Sequence, residues 1–110
     1  MIEVEIPKTI KVGGYDYTIQ VTPDVDIDLE SRGHFGEHSA ARRCLRIRSQ
    51  CLPQEISDTF LHEIIHAVDS VYSFAKLSDE QVEALSHGLL QVLEQLGIRF
   101  ILKIEKPPAL

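Results

Sequence analysis

Thr59-Phe60-Leu61-His62-Glu63-Ile64-Ile65-His66-Ala67-Val68-Asp69 contains the pattern His-Glu-x-x-His. Residues 54–72 around it carry apolar side chains at helical spacing. At about 100° per residue, Ile56, Phe60, Ile64, Ala67, Val68 and Val71 form one broad apolar side, extended by Leu61 and Ile65. His62 and His66 fall nearly opposite, so they are not core residues. Residues four apart on a helix lie one turn apart on the same face. Two imidazoles so placed suit a single metal ion, and Glu63 beside them suits a general base acting on a water molecule. The helix is expected to be covered by a sheet on one side and by a second helix near the histidines.

Downstream, residues 73–77 read as a linker. Ser78-Asp79-Glu80-Gln81 is a helix start, with Ser78 as cap and Gln81 in the capping-box position. Val82, Leu85, Leu89, Val92, Leu93 and Leu96 mark an apolar stripe, and Gly97 ends the helix. Glu80, Glu83, His87 and Glu94 share a different face. Catalytic zinc takes three protein ligands and a water, so His62 and His66 need a partner. Glu80, Glu83 and His87 are the candidates, and all three lie within an arc of about 60°. Glu80 is accounted for as a dipole partner in the first turn. Asp69 reads either as an acceptor for the far N–H of a ligand histidine or as a plain surface aspartate.

Upstream, residues 2–21 alternate as half-buried strands, with Pro7 a break. Gly13-Gly14 permits a tight hairpin, pairing residues 9–12 with 15–21. Residues 22–35 are polar and acidic and read as an exposed loop. Asp24, Asp26 and Asp28 lack the glycine and closing glutamate of a calcium loop. Residues 44–48 alternate as a third strand, with 37–41 in register before it. Residues 98–104 are expected to be a short strand or packed tail, and Lys106-Pro107-Pro108 is expected to be loose.

The chain has 110 residues, 44% of them hydrophobic, which suits one domain with one core. No run is long and apolar enough to cross a bilayer, and Met1-Ile2-Glu3-Val4-Glu5 is unlike a signal peptide, so a cytoplasmic protein is expected. Cys44 and Cys51 match neither a zinc site nor a disulfide scaffold and read as reduced thiols. A net charge of −6 argues against general nucleic-acid binding. Arg42, Arg43, Arg46 and Arg48 form a local basic run, read as a solvated strand face, with a groove for an acidic peptide as the alternative.

His62-Glu63-Ile64-Ile65-His66-Ala67-Val68-Asp69, followed by Glu83-Ala84-Leu85-Ser86, resembles the gluzincin branch of the zincin metallopeptidases. In thermolysin-like members the later helix reads Glu-Ala-x-Ser-Asp, so the resemblance implies Glu83 as third zinc ligand. His87 stands where that family has aspartate, a departure from the pattern. The Ile-Pro-Lys-x-Ile-Lys-Val-Gly-Gly hairpin, the motif helix and Glu-Gln-Val-Glu-x-Leu are also similar to small phage- or prophage-encoded metallopeptidase-like proteins over nearly the full length.

The expectation is therefore one α+β, zincin-like domain over residues 1–110, with a small, mostly antiparallel sheet of about three strands on two main helices. Its expected activity is zinc-dependent peptide-bond hydrolysis, with His62, His66 and Glu83 on the metal and Glu63 as base. His87 or Tyr72 is a candidate for stabilising the oxyanion. The strand at 44–48 is a candidate edge for an extended peptide, its arginines outward. Partners would be a peptide or protein substrate and a possible regulatory protein. The alternative is a catalytically silent zinc-binding regulatory or interaction module.

Overall fold

The computed structural model describes residues 1–103, and the Lys106-Pro107-Pro108 segment lies outside them. The fold is α+β, with element order β1 (Ile2–Glu5), β2 (Thr9–Val12), β3 (Tyr15–Gln20), α1 (Pro23–Ser31), β4 (Gly36–Ser39), β5 (Cys44–Ile47), α2 (Pro53–Tyr72), α3 (Asp79–Gln95) and β6 (Ile98–Ile101). The expected sheet of about three strands is corrected to two sheets. One has four strands in the order β2-β3-β5-β4, the other pairs β1 with β6. In the larger sheet β2–β3 and β5–β4 are antiparallel and β3–β5 is parallel. The β1–β6 pair is parallel and joins the two ends of the described chain.

The hairpin forms as its glycines require. Gly13 and Gly14 have φ of 59° and 85°, the left-handed region that costs glycine least. Gly13 also lies against α2, since a Cβ there would fall 2.3 Å from Val71 Cγ1. β1 departs from expectation, because Ile2 and Val4 are exposed although they alternate correctly. The two side chains point to one face of the two-stranded sheet, and that face is left to solvent there.

Residues 23–31, read as loop, are a helix. Thr22 caps it through Oγ1, which accepts the Val25 N–H at 3.2 Å, and Pro23 occupies the first helical position where its missing N–H is harmless. Val25 and Leu29, four apart, are buried. Buried Asp26 accepts the Ser49 N–H at 2.7 Å and the Ser49 hydroxyl, fastening α1 to the segment that leads into α2.

β5 is flanked on both sides by β3 and β4, so it offers no edge to a peptide; β4 is the edge strand beside it. Of the arginines, Arg42 is exposed as expected, whereas the other three are engaged within the fold. Arg46 pairs with Asp28 at 2.6 Å and Glu37 at 3.2 Å, Arg48 approaches Glu30 at 4.0 Å, and Arg43 lies over the Tyr15 ring at 3.3 Å. Carboxylates from α1 and β4 thus compensate Arg46 and Arg48, which weakens the case for an acidic-peptide groove.

The core joins the inward side of the sheet to α2. Tyr17, Ile19, Leu45 and Ile47 meet Ile56, Phe60 and Ala67, with the Phe60 and Phe100 rings 5.0 Å apart. Val68, expected inside, is exposed. α3 packs on α2 and β6. Its capping box is formed as read: Ser78 Oγ accepts the Gln81 N–H at 3.1 Å and Gln81 Oε1 accepts the Ser78 N–H at 2.9 Å. The apolar stripe on α3 is not buried as expected. Val82 is fully buried, but Leu85, Leu89, Val92 and Leu96 are 48%, 47%, 54% and 67% exposed. Cys44 and Cys51 are free thiols. Among the described residues no helix is long and apolar enough to cross a membrane.

Candidate metal centre

α2 presents His62 and His66 away from the core and toward β4 and α3. Their Nε2 atoms lie 3.1 Å apart. Two nitrogens each about 2.0–2.1 Å from one tetrahedral zinc would stand about 3.3 Å apart, so the pair fits a shared ion with little adjustment. A hydrogen bond between two imidazoles has the same length, so the surrounding groups distinguish the readings. The ligating atoms of His62, Glu63 and His66 all lie within 4.8 Å of one another, the one such group of three among the described residues. Burial, and then the charge of His66, hold His62 below the ordinary histidine range. His38 is lowered by the same two causes in the same order. A metal needs its imidazoles unprotonated, so burial of this kind favours binding.

Glu63 is only 5% exposed. Burial first, then the charges of Glu37 and Asp79, push its carboxyl up to about 8. The covering group is β4. A Cβ at Gly36 would fall 2.8 Å from Glu63 Oε2 and 2.5 Å from Thr59 Cγ2, so only glycine lets the edge strand lie this close to the carboxylate.

His38 is a residue that the sequence reading missed. On β4 it is two positions from Gly36, and alternation points both toward α2. Its ring is nearly parallel to that of His66, at 7° and 6.1 Å between centroids. On its other side it stacks on buried Tyr17, whose hydroxyl is 3.5 Å from His38 Nε2. The intervening Glu37 points the other way, toward Arg32 at 2.6 Å and Arg46. A Gly-x-His alternation in an extended segment was the available signal, but it carries no indication of which helix the strand will meet.

Glu83 lines a cleft of about 490 Å³ together with His62, Glu63, Asp58 and His87, and its charge acts on His62. It stands outside the close group formed by the two histidines and Glu63. His87 Nε2 lies 2.9 Å from Asp58 Oδ2 across the α2–α3 gap, while Asp58 Oδ1 is buried without a partner. Tyr72 is elsewhere, beside Gly13 of the hairpin, so it cannot serve an oxyanion in this cleft. Glu80 is exposed. Asp69 is neither a surface residue nor a support for a ligand histidine. It is buried, and its carboxylate accepts the N–H groups of Lys76 and Leu77 at 3.2 to 3.3 Å. That anchors the linker, where Phe74 and Ala75 both have φ of 57°.

The arrangement can hold a divalent cation on neutral imidazoles and keeps a basic carboxylate beside it, under an edge strand. Compared with protein-family models, curated proteins and solved structures, the chain matches none.

Proposed function

We propose that the chain is a minimal zincin-like metallopeptidase of the gluzincin type, hydrolysing a peptide bond with zinc on His62, His66 and Glu83. The observation that carries this reading is the 3.1 Å convergence of His62 Nε2 and His66 Nε2 beside a carboxylate that is 5% exposed. When bound, zinc supplies Lewis acidity, acidifying a water and polarising a carbonyl.

The chain's own residues then have separate tasks. Glu63 takes a proton from the attacking water and hands it to the leaving amine. Its elevated proton affinity suits acceptance near neutral pH, and a nearby dication lowers that affinity toward the working range. Glu83, on the rim of the same cleft, would be the third residue to hold the ion. His87, steadied by Asp58 at 2.9 Å, faces the cleft as a donor for developing negative charge. The free edge of β4, held against Glu63 by Gly36, offers backbone groups on which an extended peptide lies by strand addition.

The test measures zinc content and cleavage of a broad peptide library together. Glu63→Gln is expected to retain zinc and lose about 10²–10⁴-fold in activity. His66→Ala and Glu83→Gln are expected to lose zinc. A wild type that binds zinc and cleaves no member of the library would leave the silent binding module as the correct reading.

A further inference from the structure

Among the described residues, Asp58 carries the one carboxylate oxygen that is buried without a partner, Oδ1. Its other oxygen, Oδ2, takes the Nε2–H of His87 at 2.9 Å. A buried acceptor left unpaired is costly, and one enclosed from solvent can find its donor only within the protein. The neighbour in the right place is His62. The two residues are four apart on α2, and helical side chains lean toward the N-terminus, so the His62 ring reaches back over the turn that carries Asp58. Both line the same cleft, and of the carboxylates whose charge acts on His62, Asp58 acts most strongly.

The contact between the two α2 histidines indicates which ring needs that acceptor. His62 Nε2 and His66 Nε2 lie 3.1 Å apart, so between neutral rings one Nε2 donates its hydrogen and the other accepts on a bare nitrogen. The accepting ring must then carry its hydrogen on Nδ1. Asp79 Oδ1 lies 3.9 Å from His66 Nε2 and favours the hydrogen on that nitrogen. His62 is left as the accepting ring, with an Nδ1–H to place and the Asp58 carboxylate one turn back. The same tautomer is the one a metal requires, because an ion on Nε2 leaves the hydrogen on Nδ1.

We propose that Asp58 is a positioning residue of the candidate metal centre, its Oδ1 reserved for the Nδ1–H of His62 when Nε2 holds an ion and its Oδ2 holding His87. One carboxylate then steadies a ligand imidazole on α2 and a cleft imidazole on α3. Asp69, which follows the motif, is taken up by the linker and leaves this role free. The role rests on the metal site proposed above, whereas the tautomer belongs to the metal-free chain as well.

Long-range proton–nitrogen correlation spectra of the metal-free protein read which nitrogen of each histidine carries the hydrogen. His62 is expected in the Nδ1–H form and His66 in the Nε2–H form, and Asp58→Asn is expected to move His62 toward Nε2–H. Zinc affinity, measured by competition with a chromophoric chelator, is expected to fall about 10–100-fold in Asp58→Asn with the circular dichroism unchanged. His87→Asn breaks the same pair from the other side and is expected to leave zinc affinity as it is in the wild type. A wild-type His62 in the Nε2–H form, an Asp58→Asn protein that binds zinc as tightly as the wild type, or an equal loss of affinity in His87→Asn would each overturn the proposal. A wild type that binds no zinc would overturn the metal site instead, and the metal-free spectra would still decide for or against Asp58.

Discussion

α2 and α3 are adjacent, similar in length and similarly amphipathic, yet they are buried to very different degrees. Eight of the 20 residues of α2 are buried, against two of the 17 of α3. The larger sheet, β6 and α3 cover α2 from several directions, whereas α3 rests on α2 and β6. An apolar stripe states which side chains are able to enter a core. Whether they do so depends on how many neighbours the topology brings. The same contrast separates the two carboxylates of the proposed site, since Glu63 is enclosed between α2 and β4 while Glu83 stands on the exposed rim.

The strongest challenge to this contrast is a pair of truncations. Phe60→Ala is expected to cost about 3–5 kcal/mol, because it empties a ring-sized space in the core, and Leu89→Ala less than about 1 kcal/mol. Urea denaturation reads both, and equal losses would mean that α3 is as deeply integrated as α2.

Zinc sharpens the comparison at the next magnitude. At a hundred times its Kd, zinc should raise stability by about 2.7 kcal/mol. His66→Ala should abolish the gain, and so should Glu83→Gln, since the α3 carboxylate is the third ligand of the proposed site. A gain unaffected by Glu83→Gln would leave the metal to α2 and its other neighbours.

The enclosure of Glu63 predicts a pH dependence in metal-free protein. Its carboxyl titrates near about 8 in the fold against an ordinary 4.5, so between those values the native state holds a proton that the unfolded chain has released. Stability therefore falls as pH rises through that window. His62 and His38, both lowered from 6.5, act in the opposite direction, and their contribution is complete above 6.5. From about pH 6.5 to 8 the Glu63 effect stands clear of them, a decline of at most about 2 kcal/mol. Glu63→Gln should flatten it; an unchanged slope in that variant would assign the effect to other groups.

The smallest expected effect tests how far α3 relies on its own local devices. Ser78→Ala removes the side-chain acceptor for the Gln81 N–H and should cost about 1 kcal/mol, with amide exchange accelerating first in the opening turn of α3. Uniform acceleration through α2 as well would show that the two helices open as one.

Local chemistry was legible wherever one segment carried the whole signal. The α2 and α3 helices, the Ser78–Gln81 box and the Gly13-Gly14 hairpin are read from neighbouring residues, and the structure has them at the expected places. The i, i+4 geometry likewise put His62 and His66 on one face before any fold was known. α1 was available too, because Thr22-Pro23-Asp24 is a helix start, but three alternating aspartates obscured the Val25–Leu29 pair beneath it. His38 had no such local signature, since its relevance comes from contact with a helix 24 or more positions away.

By itself, then, the sequence determined the elements that hydrogen-bond within themselves or across a tight turn, and the paired histidines on one of them. Their energetics involve residues a few positions apart, which periodicity and capping report directly. Only the tertiary structure decided that β5 is internal and β4 the edge, that β1 pairs with β6, that Asp69 anchors a linker, and that the leucines of α3 face outward. Each of those depends on which distant segment arrives beside a residue, and hydrophobic burial and strand pairing are blind to sequence separation. The two histidines one turn apart belong to the chain, but the strand that encloses Glu63 beside them belongs to the fold.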